Sequence, residues 1–176
     1  MISIETSIGS FQAVFSEGGL VRLDFPDEGE ASLAPTIPSA LPTPRNLRFR
    51  GDPGLAGEGQ GGGAIGLLLQ RELNDYLAGR LRRFTVPLDL QGTVFQREAW
   101  HHVLEIPYGC TQTYSEVATA MGRPHGARAV GAANGANPVP ILVPCHRLVG
   151  ASGDLTGYGG GIALKRWLLR LESERR

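Results

Sequence analysis

The stretch Thr113-Tyr-Ser-Glu-Val-Ala-Thr-Ala-Met-Gly-Arg-Pro-His-Gly-Ala-Arg-Ala-Val-Gly-Ala-Ala-Asn-Gly135 decides how the second half of this chain folds. Thr113 and Glu116 have the spacing of a capping box, in which each side chain accepts from the other residue's backbone N–H. They open a short helix, Tyr114–Met121, which Gly122 closes. After Arg123-Pro124 comes a second helix, roughly His125–Gly135, made mostly of small residues. Two short helices across a tight Gly-Arg-Pro turn predict a helix-turn-helix. Ala127, Ala129, Gly131, Ala132 and Ala133 let the second helix approach another surface closely. Spacing alone leaves two destinations open for that stripe: the protein's own core, or an outside surface such as a nucleic-acid groove.

Outward from this pair the pattern stays regular. Upstream, Thr93 with Gln96 forms another capping box before a helix over Val94–Leu104, with Phe95, Ala99, Trp100 and Val103 on one side and Pro107 and Gly109 ending it. Downstream, Ile162–Glu172 is amphipathic, with Leu164, Trp167, Leu168 and Leu171 inward. The first 25 residues read instead as a β-meander with turns at Ser7-Ile8-Gly9 and Gly18-Gly19. Its third strand alternates as Leu20, Arg22, Asp24 against Val21, Leu23, Phe25. From about 26 to 63, six prolines and Gly61-Gly62-Gly63 read as an exposed insertion without regular elements and without a catalytic role. Ala64–Ala78 then recurs at helical spacing up to Gly79, and Phe84–Leu90 reads as a strand that Pro87 places at an edge. The expected fold is α+β. A small N-terminal antiparallel sheet with a helix (residues 1–90) precedes a mostly helical, winged-helix-like helix-turn-helix domain (91–176).

The 176 residues carry 17 basic and 17 acidic side chains, so the whole is neutral, but the halves differ. Residues 1–90 hold 8 Lys/Arg against 11 Asp/Glu, and residues 91–176 hold 9 against 6, so an anionic partner would favour the second half. Only one of the basic residues, Lys165, is a lysine, which reads as a compositional bias. No run of apolar residues is long enough to span a membrane. The N-terminus lacks the pattern of a secretory signal, and two distant cysteines are no disulfide scaffold, so a cytoplasmic setting is expected.

The chemistry-bearing segment is Asn137-Pro-Val-Pro-Ile-Leu-Val-Pro-Cys-His-Arg-Leu-Val149. Three prolines stiffen the backbone ahead of Cys145, and His146 follows. A thiol is a useful nucleophile only as thiolate, which a base or a positive field favours. Neighbours on an extended strand point apart, so His146 is expected to take the Cys145 proton through a bridging water. Glu172 is in place to orient the other imidazole nitrogen. The pair Cys145-His146, taken alone, is equally readable as a small buried hydrophobe beside a satisfied histidine. A structural zinc is disfavoured, because Cys110, Cys145 and four histidines show no C-x-x-C spacing.

Pro144-Cys145-His146-Arg147, Asn137-Pro138 and Gly157-Tyr158-Gly159-Gly160 together resemble the active-site signature of the O6-alkylguanine-DNA alkyltransferases, or methylated-DNA–protein-cysteine methyltransferases. The likeness extends through Ile106-Pro-Tyr-Gly, Thr113-Tyr114-Ser115, Ala127-Arg128-Ala129-Val130-Gly131 and Lys165-Arg166-Trp167-Leu168-Leu169, covering about residues 93 to 172. The resemblance implies DNA repair: an O6-alkylguanine, and by extension an O4-alkylthymine, is flipped out of the duplex and its alkyl group moves to Cys145. It implies minor-groove binding of double-stranded DNA through Thr113, Tyr114, Ser115, Ala127 and Arg128, with Arg128 filling the vacated stack. Tyr114 would donate to guanine N3, and Asn137 would order the hydrogen bonds beside Cys145, His146 and Glu172. Pro140, Leu148, Tyr158 and Gly159 would wall the pocket. The chain departs from many relatives in having Gly159 for a serine, which leaves only the backbone amide for an O6 contact, and Gly135 for a basic residue, which predicts fewer phosphate contacts. No metal or other cofactor is implied, and the expected state is a monomer. Two competitors are a non-enzymatic lesion sensor, which in related proteins has tryptophan at the Cys145 position, and a cysteine hydrolase, which would need an oxyanion hole.

Overall fold

Ile4, Phe11, Ala13 and Leu23 are buried, while Ser3, Glu5 and Arg22 between them are exposed. That alternation folds the start of the chain into a three-stranded antiparallel meander in the computed structural model, which describes residues 1–26 and 62–175. Strand β1 (Ile2–Thr6) pairs with β2 (Gly9–Ser16), and β2 pairs with β3 (Gly19–Asp24). Strict alternation along β3 fails. The register shifts between Val14 and Phe15, which face Arg22 and Leu20, so Val21 is the extra residue of a bulge. Leu20 and Leu23 are therefore both buried, although a regular strand would send them to opposite faces.

Helix α1 (Gly62–Leu77) covers this sheet with Leu69, Leu73, Tyr76 and Leu77, packing on β1 and β2. It begins two residues before the position expected from periodicity, running into the glycine triplet. The rest of the 26–63 insertion falls, from 27 to 61, outside the described residues. The predicted strand at Phe84–Leu90 is not formed. The amides of Thr85 and Val86 donate to the Glu72 carboxylate, at 2.8 and 3.2 Å, and Pro87 has no N–H, so residues 85–87 offer no donor to a ladder. One bridge remains, Leu20 to Leu88. It requires Gly19 (φ +141°), where a Cβ would lie 2.3 Å from the Pro87 carbonyl oxygen.

The chain divides into two compact units, Met1–Asp89 and Leu90–Arg176. The second is built on α2 (Val94–Leu104), α3 (Tyr114–Ala120), α4 (Ala127–Gly135) and α5 (Gly161–Glu174). Both capping boxes form. Gln96 N donates to Thr93 Oγ1 at 3.2 Å and Thr93 N to Gln96 Oε1 at 2.9 Å. Glu116 N donates to Thr113 Oγ1 at 3.1 Å and Thr113 N to Glu116 Oε2 at 2.6 Å. Each such cap contributes about 1 kcal/mol. Helix α4 starts at Ala127 rather than His125, because the Gly126 amide closes a turn onto Arg123 O. Helices α2, α3 and α4 pack on one another, and Trp100 Nε1 donates to Ala133 O at 2.8 Å. Two short parallel strands, β4 (Gln112–Thr113) and β5 (Leu148–Val149), join the start of α3 to the end of the Cys145 segment.

Candidate active site

The small-residue stripe of α4 divides between both destinations left open by its spacing. Val130, Ala133 and Asn134 are buried, while Arg128, Ala129 and Ala132 face outward. Thr113 is half-buried, as are Ala127 and Tyr114, whereas Ser115 is exposed. The exposed face of the helix-turn-helix therefore carries the residues expected to meet DNA, with the Arg128 side chain in solvent.

Residues 137–149 fold tightly behind it. Asn137 Nδ2 donates to Val143 O at 2.9 Å, and its Oδ1 accepts from Val139 N at 3.0 Å, so one side chain spans the proline-rich loop. Within that loop Ile141 has φ 74°, a left-handed conformation rare for a β-branched residue and a place of local strain. Cys145–Arg147 is a single 3₁₀ turn and not the extended strand expected from sequence. The Arg147 amide donates to Pro144 O at 2.9 Å, and both His146 and Arg147 reach the carboxylate of Glu172 from this turn.

His146 is fully buried, with its Nε2 3.0 Å from Glu172 Oε1. Burial alone would raise the Glu172 pKa, but His146 and Arg147 outweigh it and hold the carboxyl at about 2. An ionised carboxylate only accepts, so Nε2 carries the imidazole hydrogen and Nδ1 is the basic nitrogen. Burial also pushes the His146 pKa down, against the pull of Glu172, so the ring is neutral near pH 7 and able to take a proton. Arg147, which sequence reading left without a role, clamps the same carboxylate. Its Nε lies 3.0 Å from Oε2 and its Nη2 2.8 Å from Oε1, while Nη1 donates to Ile106 O at 2.6 Å. The Gly109 amide donates to Oε2 at 2.9 Å. Glu172 is thus fixed from three directions.

Cys145 is 5% exposed. Burial raises its pKa. The Asn137 side chain, the Lys165 charge and the amides of Ile141 and Cys145 itself pull the other way without reversing it. At rest the sulfur is a thiol, and reaction requires a base. Lys165 is buried on α5 with its Nζ on Thr156 O at 2.8 Å; burial lowers its pKa and the Cys145 charge opposes that. It too was missed, although being the only lysine among 17 basic residues was the available signal.

Of the expected pocket wall, Pro140 and Leu148 are buried, Tyr158 is half-buried and Gly159 exposed. The Tyr158 ring stands edge-on to His146, with centroids 6.3 Å apart. Burial, then the Cys145 and Glu172 charges, raise the phenol well above its ordinary range, so Tyr158 stays neutral. Tyr114 Oη accepts from Thr156 Oγ1 at 3.2 Å. Cys110 is exposed. Among the described residues no three His, Cys, Asp or Glu side chains converge as a metal site, and no helix is long and apolar enough to cross a membrane.

A buried thiol, a neutral imidazole and a clamped carboxylate on one helix-turn-helix unit define a class, that of DNA-binding folds equipped with a sulfur nucleophile. Residues 94–174 match the family model described as 6-O-methylguanine DNA methyltransferase, DNA binding domain. The methylated-DNA–protein-cysteine methyltransferase of Mycobacterium bovis is 60% identical over 104 residues, which are 59% of this chain and 63% of that relative, so the alignment spans just under two thirds of its length. The structure of Mycobacterium tuberculosis OGT in complex with DNA is 40% identical, with a TM-score of 0.74 over 98% of this chain and 92% of that one. The O6-methylguanine-DNA methyltransferase of Pyrococcus kodakaraensis is 25% identical, with a TM-score of 0.54 over 93% and 90%. The chain belongs to the methylated-DNA–protein-cysteine methyltransferase family.

Proposed function

We propose that this protein repairs DNA by moving the alkyl group of an O6-alkylguanine directly onto Cys145, once per chain. The observation that carries the reading is the buried Cys145 beside a neutral His146 whose other nitrogen is held by an ionised Glu172. The thiol proton passes to His146 Nδ1 through a water. The sulfur attacks the alkyl carbon as the carbon–O6 bond breaks, and the electron pair leaves into the guanine ring. Tyr114 donates a proton at N3, so neutral guanine departs. The thioether product has no leaving group, which makes the transfer stoichiometric.

An alkylated base inside the stack is out of reach, and extruding it costs a few kcal/mol. Binding is proposed through the minor groove by a monomer, with Thr113, Tyr114, Ser115 and Ala127 against the backbone and Arg128 in the vacated stack. The exposed position of Arg128 on α4 supports this, as does the relative crystallised with DNA. Asn137 orders the loop around the sulfur, and Pro140, Leu148, Tyr158 and Gly159 form the pocket. O4-alkylthymine is a second substrate on the same reading. A reducing, cytoplasmic setting keeps the thiol available.

Intact-mass measurement after incubation with O6-benzylguanine tests the proposal. The expected result is one benzyl group per chain, mapped to Cys145, with release of one guanine. Continuing guanine release would instead mark a cysteine hydrolase, and binding to alkylated duplex without any adduct would mark a lesion sensor.

A further inference from the structure

Thr156 makes two contacts that no motif assigns. Its hydroxyl donates to Tyr114 Oη at 3.2 Å, and its carbonyl accepts from Lys165 Nζ at 2.8 Å. Tyr114 is the first residue of α3, on the helix-turn-helix, and Lys165 lies on α5, the helix that carries Glu172. One residue of the segment between β5 and α5 therefore ties the two elements together, two positions before Tyr158.

Resting on the reading that Tyr114 protonates the departing guanine, we propose that Thr156 is the positioning residue that aims and assists that proton transfer. A phenol has one hydrogen and a limited set of directions for it. With the Thr156 hydroxyl donating into the phenol oxygen, the phenol hydrogen is turned away from Thr156. The same contact stabilises the negative charge that grows on the oxygen as the proton leaves. Lys165 makes the aim rigid. It is fully buried, so its grip on the Thr156 carbonyl fixes the backbone from which the hydroxyl projects. Thr156 itself is exposed and Tyr114 half-buried, so water competes for this hydrogen bond until DNA covers it.

A double-mutant cycle between the two side chains tests the proposal. Thr156→Val keeps the shape and removes the hydroxyl, and at an exposed position it leaves the fold intact. Single-turnover transfer from a duplex carrying O6-methylguanine should slow about fivefold, the order expected for one lost hydrogen bond. Thr156→Ser, which restores a hydroxyl, should recover most of the rate. In a Tyr114→Phe background, Thr156→Val should change nothing further. A wild-type rate for Thr156→Val, or the same loss in both backgrounds, overturns the proposal, since the threonine would not then act through Tyr114. If Tyr114→Phe alone transfers at the wild-type rate, the assignment of Tyr114 has failed, and the positioning role fails with it.

Discussion

Each unit of this protein buries a glutamate, and the two are used differently. Glu72, on α1, accepts from the amides of Thr85 and Val86 and from the Thr85 hydroxyl. None of those donors titrates near neutral pH, so the carboxylate staples a loop to a helix and does nothing else. Glu172, on α5, is buried against His146, Arg147 and the Gly109 amide. One of its partners is an imidazole that can gain a proton, and the carboxylate decides which nitrogen receives it. Burial is common to both residues. What separates structure from chemistry is whether a partner can change its charge.

Cys145→Ala is expected to show the largest effect. It should abolish transfer completely, with Cys110 unlabelled by mass mapping, while binding to alkylated duplex survives. Label on Cys110 would move the chemistry elsewhere. Next comes Glu172→Gln, which leaves the Arg147 guanidinium buried without its counter-charge. It should cost about 3–5 kcal/mol in denaturant unfolding and slow O6-benzylguanine transfer roughly 10–100-fold. Raising the pH should recover part of that rate, because more thiolate then forms without help from His146. A loss independent of pH would remove the proton relay.

The same carboxylate sets the acid stability of the second unit. Its folded pKa of about 2 lies below the ordinary 4.5, so its contribution is complete above pH 4.5 and is lost as pH falls through 2. His146 acts in the same direction higher up. Its folded pKa is depressed from 6.5, so below that pH the unfolded chain binds the proton first and stability declines. Acid unfolding followed by tryptophan fluorescence should therefore begin below about pH 6.5 and steepen below 4.5, and Glu172→Gln should flatten the lower limb.

Arg128→Ala should have a smaller effect, confined to one substrate. It should slow transfer from duplex by a factor equivalent to ~1–3 kcal/mol and leave free O6-benzylguanine untouched, since a free base needs no flipping. Equal losses on both would make Arg128 a residue of the fold. Glu72→Gln should have the smallest effect on chemistry. It should lower stability by about 1–3 kcal/mol and leave the transfer rate on O6-benzylguanine unchanged, and a slowed rate would break the contrast between the two glutamates.

Much of this was legible because it is local. A capping box needs only two residues three apart, and both appear with their hydrogen bonds where Thr93 and Thr113 stand. The apolar faces of α2 and α5 follow from periodicity, and the cysteine signature is contiguous. What escaped reading depends on partners distant in sequence. Phe84–Leu90 has the alternation of a strand, but Glu72, a turn of chain away, takes its amides. The bulge at Val21 cannot be seen without its partner strand. Arg147 and Lys165 carry charges that ordinarily stay at the surface, and only the fold shows what each meets inside. The 3₁₀ turn at Cys145 follows from the loop tied by Asn137 and not from the preferences of Cys, His and Arg.

The burial of Cys145 also bears on how the protein survives between lesions. Oxidation by peroxide proceeds through exposed thiolate, and so does capture by stray electrophiles dissolved in water. Cys145 offers neither, being 5% exposed and held as a thiol with its pKa raised by burial. Cys110 lies open to the same reagents. On the proposed single-use chemistry, burial thus spares Cys145 from reagents that need an exposed thiolate and reserves it for a ligand that fills the pocket beside it.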